Sequence, residues 1–310
     1  MVTAVDRSAA GNLHGFPTAL TSFVGRAPVV DEVAGQLAQD RLVTVTGPGG
    51  AGKTRLAGEV ARQVAGRFAD GVWLAELATV RDPGQVAATV AAALGVRDLP
   101  SVAAADALAR ALARRQLLLV LDNCEHVIGA AAELCGRLLL GADDVRVLAT
   151  SREPLRIAGE VRYRLGSLTL PDPGDLAAAA RCEAVTLFAD RARRVEPGFA
   201  LDEKTAATVA RLVARLDGMP LAIELAACRE VGDLTNLCGV LWHRTILDLR
   251  TGRTDDAPAH LRELFQIVMQ TGLRPLLPPG LDCCGHLCAA TRRPAEAVTA
   301  WAAMSALAGP

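Results

Sequence analysis

The sequence has few aromatic residues, few lysines and no long apolar run. Phe, Trp and Tyr make up 3% of its 310 residues, so its core must be built mainly from aliphatic side chains and alanine. Lys53 and Lys204 are the only lysines, and the formal net charge is -1. No overall basic field therefore exists to hold DNA or RNA. Because no apolar stretch approaches ~18 residues, we expect no membrane-spanning segment.

Eight cysteines are present, but their spacing is irregular. The first residues, MVTAVDRSAAGN, lack a basic segment followed by an apolar one. Both features argue against the disulfide framework of a secreted domain. With 51% hydrophobic and 22% charged residues, the composition is typical of a folded chain, and we expect a reduced, cytoplasmic protein.

The stretch GPGGAGKT fits the phosphate-loop pattern of GxxxxGK followed by Ser or Thr. A β-branched strand, Arg41–Thr46, precedes it, and apolar residues at helical spacing follow it. Glycine-rich backbone turns its N–H groups toward phosphate oxygens, and the helix adds its positive end. The predicted nucleotide-binding residues are Gly47, Pro48, Gly49, Gly50, Ala51, Gly52, Lys53 and Thr54. Lys53 is expected on the outer phosphates of ATP or ADP, and the Thr54 hydroxyl on Mg²⁺.

Four further candidate side chains lie at or just after the ends of predicted neighbouring strands. Asp122 ends LLLVLD and is predicted to hold Mg²⁺, a role compatible with capping the next helix. Asn123 or Glu125 could position the attacking water; Glu125 is the better base, although a first-turn acid also favours a helix dipole. Arg152 closes the next strand and is predicted to bind the terminal phosphate, with an ordinary surface arginine as the alternative.

The order of elements predicts an α/β fold, because apolar strand patterns alternate with helical ones up to about residue 174. Such unbroken apolar strands indicate a parallel sheet covered by helices on both faces. Helical patterns alone follow. We predict a flexible lead-in at 1–20, a nucleotide-binding domain at 21–170, a small helical lid at 171–228 and helical hairpins at 229–310.

The last segment contains a weak internal repeat at an offset of 40 residues. Leu241–Ala257 aligns with Leu281–Ala297, and each copy reads as helix, turn, helix. This resembles tetratricopeptide hairpins, at a period longer than their usual ~34 residues, and a chance match is the alternative. The predicted apolar faces comprise Leu261, Leu264, Phe265 and Val268 in the first copy and Val298, Trp301, Ala302 and Ser305 in the second. We expect these helices to bind a protein partner or to self-associate.

Two clusters receive structural interpretations. The stretch DCCGHLC holds Cys283, Cys284, His286 and Cys288, but it lacks the paired CxxC spacing of a zinc site, and helix packing is favoured. Arginines at 181, 191, 193 and 194 favour a solvated helix face over a nucleic-acid surface.

Five motifs occur in an order that resembles one family of regulatory ATPases. They are FVGR, GPGGAGKT, LLLVLDNCEH, VLATSREPL and GMPLAIELAA, and together they span about residues 20–227. The segment is similar to the NB-ARC-type core of signal-transduction ATPases with numerous domains, as found in large actinobacterial LuxR-type and antibiotic-regulatory transcription regulators. The C-terminal hairpins resemble the tetratricopeptide arrays of the same proteins.

The resemblance implies further contacts and a mode of action. It implies the backbone of Val24 and Arg26 at the adenine and ribose, Pro220 against the adenine, and Arg152 as a terminal-phosphate sensor. It also implies a switch in which ADP holds a closed form and ATP permits opening. The family pattern continues into a winged-helix domain, whereas here repeat-like helices follow Ala227. We therefore expect the winged-helix and DNA-binding domains to be missing, and no direct nucleic-acid contact.

Two functions follow from these observations. The first is a regulatory ATP/ADP-binding module with slow, Mg²⁺-dependent ATP hydrolysis. The alternative is a non-catalytic interaction protein in which the nucleotide is structural and the helical hairpins bind a partner. A small-molecule kinase is disfavoured because no lid or acceptor site can be recognised.

Overall fold

A computed structural model describes residues 12–18, 21–96, 104–170, 181–230, 241–249 except 243 and 247, 257–271 and 277–308. The chain divides into two compact units, Met1–Leu168 and Thr169–Pro310. The first contains the sheet, and the described part of the second is helical. The further division predicted at residue 228 stays a prediction.

The sheet of the first unit has six strands, and all of its pairings are parallel. The strands are β1 (Leu13–His14), β2 (Leu42–Thr46), β3 (Val72–Glu76), β4 (Leu118–Asp122), β5 (Arg146–Ser151) and β6 (Glu160–Arg164). Their order across the sheet is β1-β3-β4-β5-β2-β6. Every residue of the central strand β4 is buried, as expected of a strand covered on both faces. The predicted α/β fold with a parallel sheet is confirmed.

Five helices connect or flank the strands of this unit. They are α1 (Ala27–Gln39), α2 (Lys53–Val64), α3 (Val86–Ala93), α4 (Ala104–Leu112) and α5 (Ile128–Gly141). Their buried faces are mostly Ala, Leu and Val. Leu119 and Leu121 of β4 share one core cluster with Leu134 and Leu138 of α5. This packing fixes the carboxyl ends of the strands at one edge of the sheet.

Two strands lie outside the sequence prediction, and one corrects it. The lead-in at 1–20 was expected to be flexible, yet Leu13 and His14 pair with β3, and the His14 ring stacks on Trp73 with centroids 3.8 Å apart. The other missed strand, β6, is an edge strand of sequence EVRYR. Both lack the apolar run on which the prediction relied, because an edge strand need not be buried on both sides.

The described part of the second unit includes six helices with defined bounds. They are α6 (Glu183–Val195), α7 (Glu203–Arg215), α8 (Pro220–Glu230), α9 (Ala257–Thr271), α10 (Leu277–Ala290) and α11 (Pro294–Ala308). Residues 241–242, 244–246 and 248–249 are also helical. None of the helices in the described part of the chain is both long and apolar enough to cross a bilayer.

The apolar face of α9 is covered within the second unit. Leu264 and Val268 are buried and cluster with Leu241, and Leu225 of α8 packs against them. The face therefore contributes to a core, and it is not left bare for a partner. Self-association through the C-terminal helices stays a prediction for other surfaces.

The face predicted for α11 is wrong by one position. Val298 is 65% exposed, whereas Ala297 is 2% exposed and Trp301 packs closely over Gly285 of α10. The helix is so rich in alanine that the sequence offers little contrast between its faces. A Cβ atom at position 285 would overlap the indole of Trp301, so glycine is required for this close approach of α10 and α11.

One of the four arginines predicted on a solvated face is buried instead. Arg191 is 6% exposed and forms ion pairs with Asp190 and Glu224. Arg193 and Arg194 are exposed, as expected. Arg191 thus fastens α6 to α8, because burial of a guanidinium requires charged partners.

Candidate nucleotide-binding site

The predicted phosphate loop connects the end of β2 to α2. Gly50 and Gly52 have φ angles of 79° and 90°, a left-handed region that glycine adopts without steric cost. Gly47 has a different requirement, since a Cβ atom there would lie 2.7 Å from the carbonyl oxygen of Leu165. Lys53 is the first residue of α2, so the loop ends at the positive end of that helix.

Lys53 is held inside the loop that precedes it. Its Nζ atom donates to the carbonyl oxygens of Gly47 and Pro48 at 2.9 and 3.0 Å, and the residue is 7% exposed. Burial lowers the pKa of the Lys53 ammonium, while the nearby Glu125 carboxylate acts in the opposite direction. A buried cation with carbonyl partners is available to exchange them for phosphate oxygens.

Asp122 lies at the end of β4 and joins a network of hydroxyl groups. The Thr54 hydroxyl donates to Oδ1 and Oδ2 at 2.8 and 3.1 Å, and the Thr150 hydroxyl donates to Oδ1 at 2.5 Å. Burial raises the pKa of the Asp122 carboxyl, and the hydrogen bonds from Thr150 and Thr54 oppose that rise. The carboxylate is therefore fixed in orientation beside the predicted Mg²⁺ ligand of the loop.

Glu125 and Arg152 lie at the same edge of the sheet and contact each other. Arg152 Nε is 3.3 Å from Glu125 Oε1 in an ion pair. Three buried atoms of the pair, Glu125 Oε2 and Arg152 Nε and Nη2, have no hydrogen-bond partner among the described residues. Buried polar groups in this condition indicate that a ligand or solvent completes the site. Both charges also influence the pKa of Lys53, so the predicted residues converge.

Arg26 takes part in the site through its side chain. Its guanidinium donates to the carbonyl oxygen of Ala51 at 2.5 Å and to that of Gly166 at 2.7 Å. It thereby connects the phosphate loop to the segment after β6. The residue is 5% exposed and caps α1 with a left-handed backbone, φ 60°. The adenine and ribose contacts expected of the backbone at Val24 and Arg26 stay predictions.

Sequence reasoning missed Thr150 and the Arg26 side chain. Thr150 also accepts a hydrogen bond from the backbone N–H of Asn123, 3.0 Å away, so it holds both Asp122 and the turn that follows. The sequence feature that could have revealed Thr150 is a hydroxyl residue near the end of the otherwise apolar strand β5. Pro220, predicted against the adenine, begins α8 in the second unit, and its role stays a prediction.

The cysteine-rich stretch lies on α10 of the second unit. Cys283 is buried, and the His286 ring meets Trp301 edge to face at 5.5 Å between centroids. No group of three or more His, Cys, Asp or Glu side chains in the described residues is arranged to hold a metal ion. Cys283 thus packs as a small buried side chain, whereas His286 is exposed.

The phosphate loop, Asp122, Glu125 and Arg152 lie in a segment that matches the model of a known protein family. Residues 36–155 match the model of an AAA domain. A Mycobacterium tuberculosis protein with the provisional name HTH-type transcriptional regulator is 47% identical over 193 residues, covering 62% of this chain and 20% of that protein. An uncharacterized protein of the same species is 42% identical over 216 residues, covering 70% of this chain and 52% of that protein. The chain thus spans about a fifth of the length of the first relative and about half of the length of the second.

Two of the solved structures that the chain matches have low sequence identity and TM-scores below 0.5. A signal transduction ATPase with numerous domains from Pyrococcus horikoshii, with a tetratricopeptide repeat sensor, has a TM-score of 0.47 and 13% identity, covering 94% of this chain and 57% of that chain. Cdc6p from Pyrobaculum aerophilum has a TM-score of 0.44 and 14% identity, covering 83% of each chain. Residues 36–155, which match the family model, include β2 to β5 of the parallel sheet, and this part of the chain has a P-loop, AAA-type fold.

Proposed function

We propose that the first unit binds ATP and ADP with Mg²⁺ and acts as a regulatory switch with slow ATP hydrolysis. The observation that carries this proposal is the set of unpartnered buried atoms on Glu125 and Arg152 beside Lys53 and the loop. A purely structural ion pair would leave Glu125 Oε2 and Arg152 Nη2 without hydrogen-bond partners, which is costly because unsatisfied buried polar groups destabilise a fold. A polyphosphate would supply acceptors for the guanidinium nitrogens of Arg152 that have no hydrogen-bond partner.

The positively charged side chains of the site suit the negative charge of nucleotide phosphates. Lys53 and Arg152 approach from the loop and from β5, and the backbone of the loop contributes N–H donors and a helix N-terminus. Each cation now contacts protein oxygen atoms, Gly47 and Pro48 in one case and Glu125 in the other. Binding of the outer phosphates therefore requires both side chains to exchange partners, which gives the bound and free states different internal contacts.

The oxygen ligands of the site fit Mg²⁺. The Thr54 hydroxyl and the Asp122 carboxylate lie together, and Mg²⁺ prefers one or two such oxygen ligands, completing its shell with water and phosphate oxygens. When bound, the ion neutralises charge that develops on the phosphates. Thr150 keeps the Asp122 carboxylate oriented for this role.

Slow hydrolysis is expected from the state of the candidate base. Glu125 is the carboxylate proposed to activate water, and its Oε1 atom contacts Arg152. While Oε1 is paired with the guanidinium of Arg152, it is not free to contact an attacking water, and a base must lie within hydrogen-bond reach of the proton that it accepts. Asn123, the other candidate, has an amide that cannot serve as a base. Sensing of the nucleotide is thus better supported than rapid turnover.

The regulatory context is proposed from the sequence relatives. One similar mycobacterial protein has the provisional name HTH-type transcriptional regulator, and the ordered motifs resemble NB-ARC-type signalling ATPases. We propose a cytoplasmic signalling role in a transcription-regulator-type protein, with the helical second unit binding a protein partner. The adenine contacts of Val24, Arg26 and Pro220 belong to the same proposal.

The test is equilibrium titration of the purified chain with a fluorescent ATP analogue. Lys53→Ala is expected to weaken binding by about 100-fold, because a buried charge-assisted contact contributes about 1.5–3 kcal/mol. Lys204→Ala, which changes the only other lysine, is the matched control and should bind like the parent. Unchanged affinity in Lys53→Ala would contradict the loop assignment.

A second measurement separates the switch from the interaction-protein alternative. Asp122→Asn should retain metal-free binding and lose the enhancement by Mg²⁺, since the amide lacks the carboxylate charge. The parent should hydrolyse ATP slowly, and Lys53→Ala should not. Tight nucleotide binding with no turnover above that of Lys53→Ala would favour a structural nucleotide and exclude the ATPase.

A further inference from the structure

A cavity of about 550 Å³ lies in the second unit, between α6, the segment that follows it and α7. Its size is in the range of small-molecule sites, about 300–1,000 Å³. Its lining comes entirely from residues 188–215, so the cavity is formed within one helical pair and its connection. No residue of the proposed nucleotide site contributes to it.

The inner wall of the cavity is apolar and partly aromatic. Phe188 is 2% and Val209 4% exposed. The rings of Phe188 and Phe199 meet edge to face with centroids 6.1 Å apart, and Leu212 completes this wall. Such a surface favours an apolar ligand body, because burial of apolar area provides most of the binding energy.

The rim of the cavity is cationic. Arg211 and Arg215 lie one turn apart on α7, both line the cavity, and both are exposed. Neither forms an ion pair with any residue in the described ranges, in contrast to Arg191 of α6, which is buried against Glu224. Among the described residues of the lining, Glu196 is the one acid, and these residues together have a formal charge of +1.

We propose that this cavity binds a small amphipathic monoanion, such as an alkyl or aryl carboxylate. The apolar wall would accept the hydrocarbon body, and the two guanidinium groups would form charge-assisted hydrogen bonds to the carboxylate. A polyphosphate fits poorly, because Glu196 cancels one of only two positive charges. The site is independent of the proposed nucleotide switch and would add a ligand-sensing function to the helical unit.

The proposal is tested with three ligands that share a ten-carbon chain and differ in head-group charge. Decanoate, decanol and decyltrimethylammonium compete with the fluorescent anion 8-anilinonaphthalene-1-sulfonate for the full-length chain. Decanoate is expected to displace the probe at concentrations at least tenfold lower than the other two, as one or two charge-assisted contacts require. Equal potency of all three ligands would overturn the proposal.

Matched variants locate the site. Arg211→Ala/Arg215→Ala should weaken decanoate binding at least tenfold and leave decanol unaffected. The control Arg181→Ala/Arg193→Ala removes the same charge from exposed positions of this unit that do not line the cavity, and it should bind decanoate like the parent. Equal loss in the two double variants would show general charge attraction and overturn the proposal. Helical circular dichroism and nucleotide titration verify that both units remain folded.

Discussion

Arg26 provides the most demanding test of how the phosphate loop is held. Its guanidinium donates to the carbonyl oxygens of Ala51 and Gly166, which are 25 and 140 residues away in sequence. Arg26→Ala leaves both carbonyls without this donor. Ala51 is fully buried, so water cannot easily replace the lost bond there.

The expected loss follows from the two hydrogen bonds. A bond to a charged donor contributes about 1.5–3 kcal/mol when its partner is left buried. Gly166 is exposed, so its bond counts little, and we expect Arg26→Ala to lower the free energy of unfolding by about 1.5–3 kcal/mol, the value of the buried bond alone. Affinity for nucleotide should fall as well, because the loop loses its connection to the segment after β6.

The backbone of Arg26 supplies an internal control. Its φ of 60° costs a residue with a Cβ atom about 1–2 kcal/mol, a cost that glycine avoids. Arg26→Gly removes the same donors and should be about 1 kcal/mol less destabilised than Arg26→Ala. Arg26→Lys keeps the charge but lacks a fork that reaches two acceptors, and it should resemble Arg26→Ala.

The assay is urea unfolding followed by the fluorescence of Trp73. This residue lies in β3 and reports on the first unit, whereas Trp242 and Trp301 lie in the second. All variants are therefore compared in a Trp242→Phe/Trp301→Phe background. A change below about 0.5 kcal/mol in Arg26→Ala, the size of an ordinary surface substitution, would refute the reasoning.

Three further outcomes are expected from the geometry. Thr150→Val removes a hydrogen bond that stabilises the ionised Asp122 carboxylate, so the pKa of Asp122 should rise further. On acidification, the Mg²⁺ enhancement of nucleotide binding should therefore be lost at a higher pH than in the parent. Nucleotide titration at a series of pH values checks this, and an unchanged midpoint of that loss contradicts it. Glu125→Gln releases Arg152 from its ion pair and should strengthen ATP binding about fivefold more than ADP binding, measured by competition titration; equal gains for both nucleotides would count against a terminal-phosphate contact. Gly285→Ala forces α10 and α11 apart and should lower the thermal stability of the second unit, measured by calorimetry. Nucleotide affinity should stay unchanged. If the variant is as stable as the parent, α10 and α11 pack differently.

The phosphate loop could be predicted because its information is local. Four fixed residues specify a backbone turn, and the flanking strand and helix are the only context that it needs. Asp122 and Arg152 were predictable for a related reason, since parallel strands bring their carboxyl ends to one edge of the sheet. The ion pair between Glu125 and Arg152 was not predicted, because its distance depends on how the turn after β4 is bent.

Contacts that join distant segments were beyond sequence reasoning. No pattern near Arg26 indicates that its side chain spans to Ala51 and Gly166. The edge strand β6 was missed because it is short of apolar residues. In α11, the abundance of alanine did not allow the sequence to distinguish between two buried faces that differ by one residue. The position of Trp301 against Gly285 determines which face is buried.

The charged residues of the site give a reason why nucleotide binding would change the contacts within the protein. Lys53 and Arg152 are cations, Asp122 and Glu125 are acids, and in the described state each cation already contacts protein oxygen atoms. A ligand shifts a two-state equilibrium only through contacts that differ between the states. Under the proposed function, the terminal phosphate would take Arg152 from Glu125, and Glu125 Oε1 would then be free to contact the attacking water. Sensing and hydrolysis would then share one side-chain exchange, so that the base becomes available only after the triphosphate has been recognised.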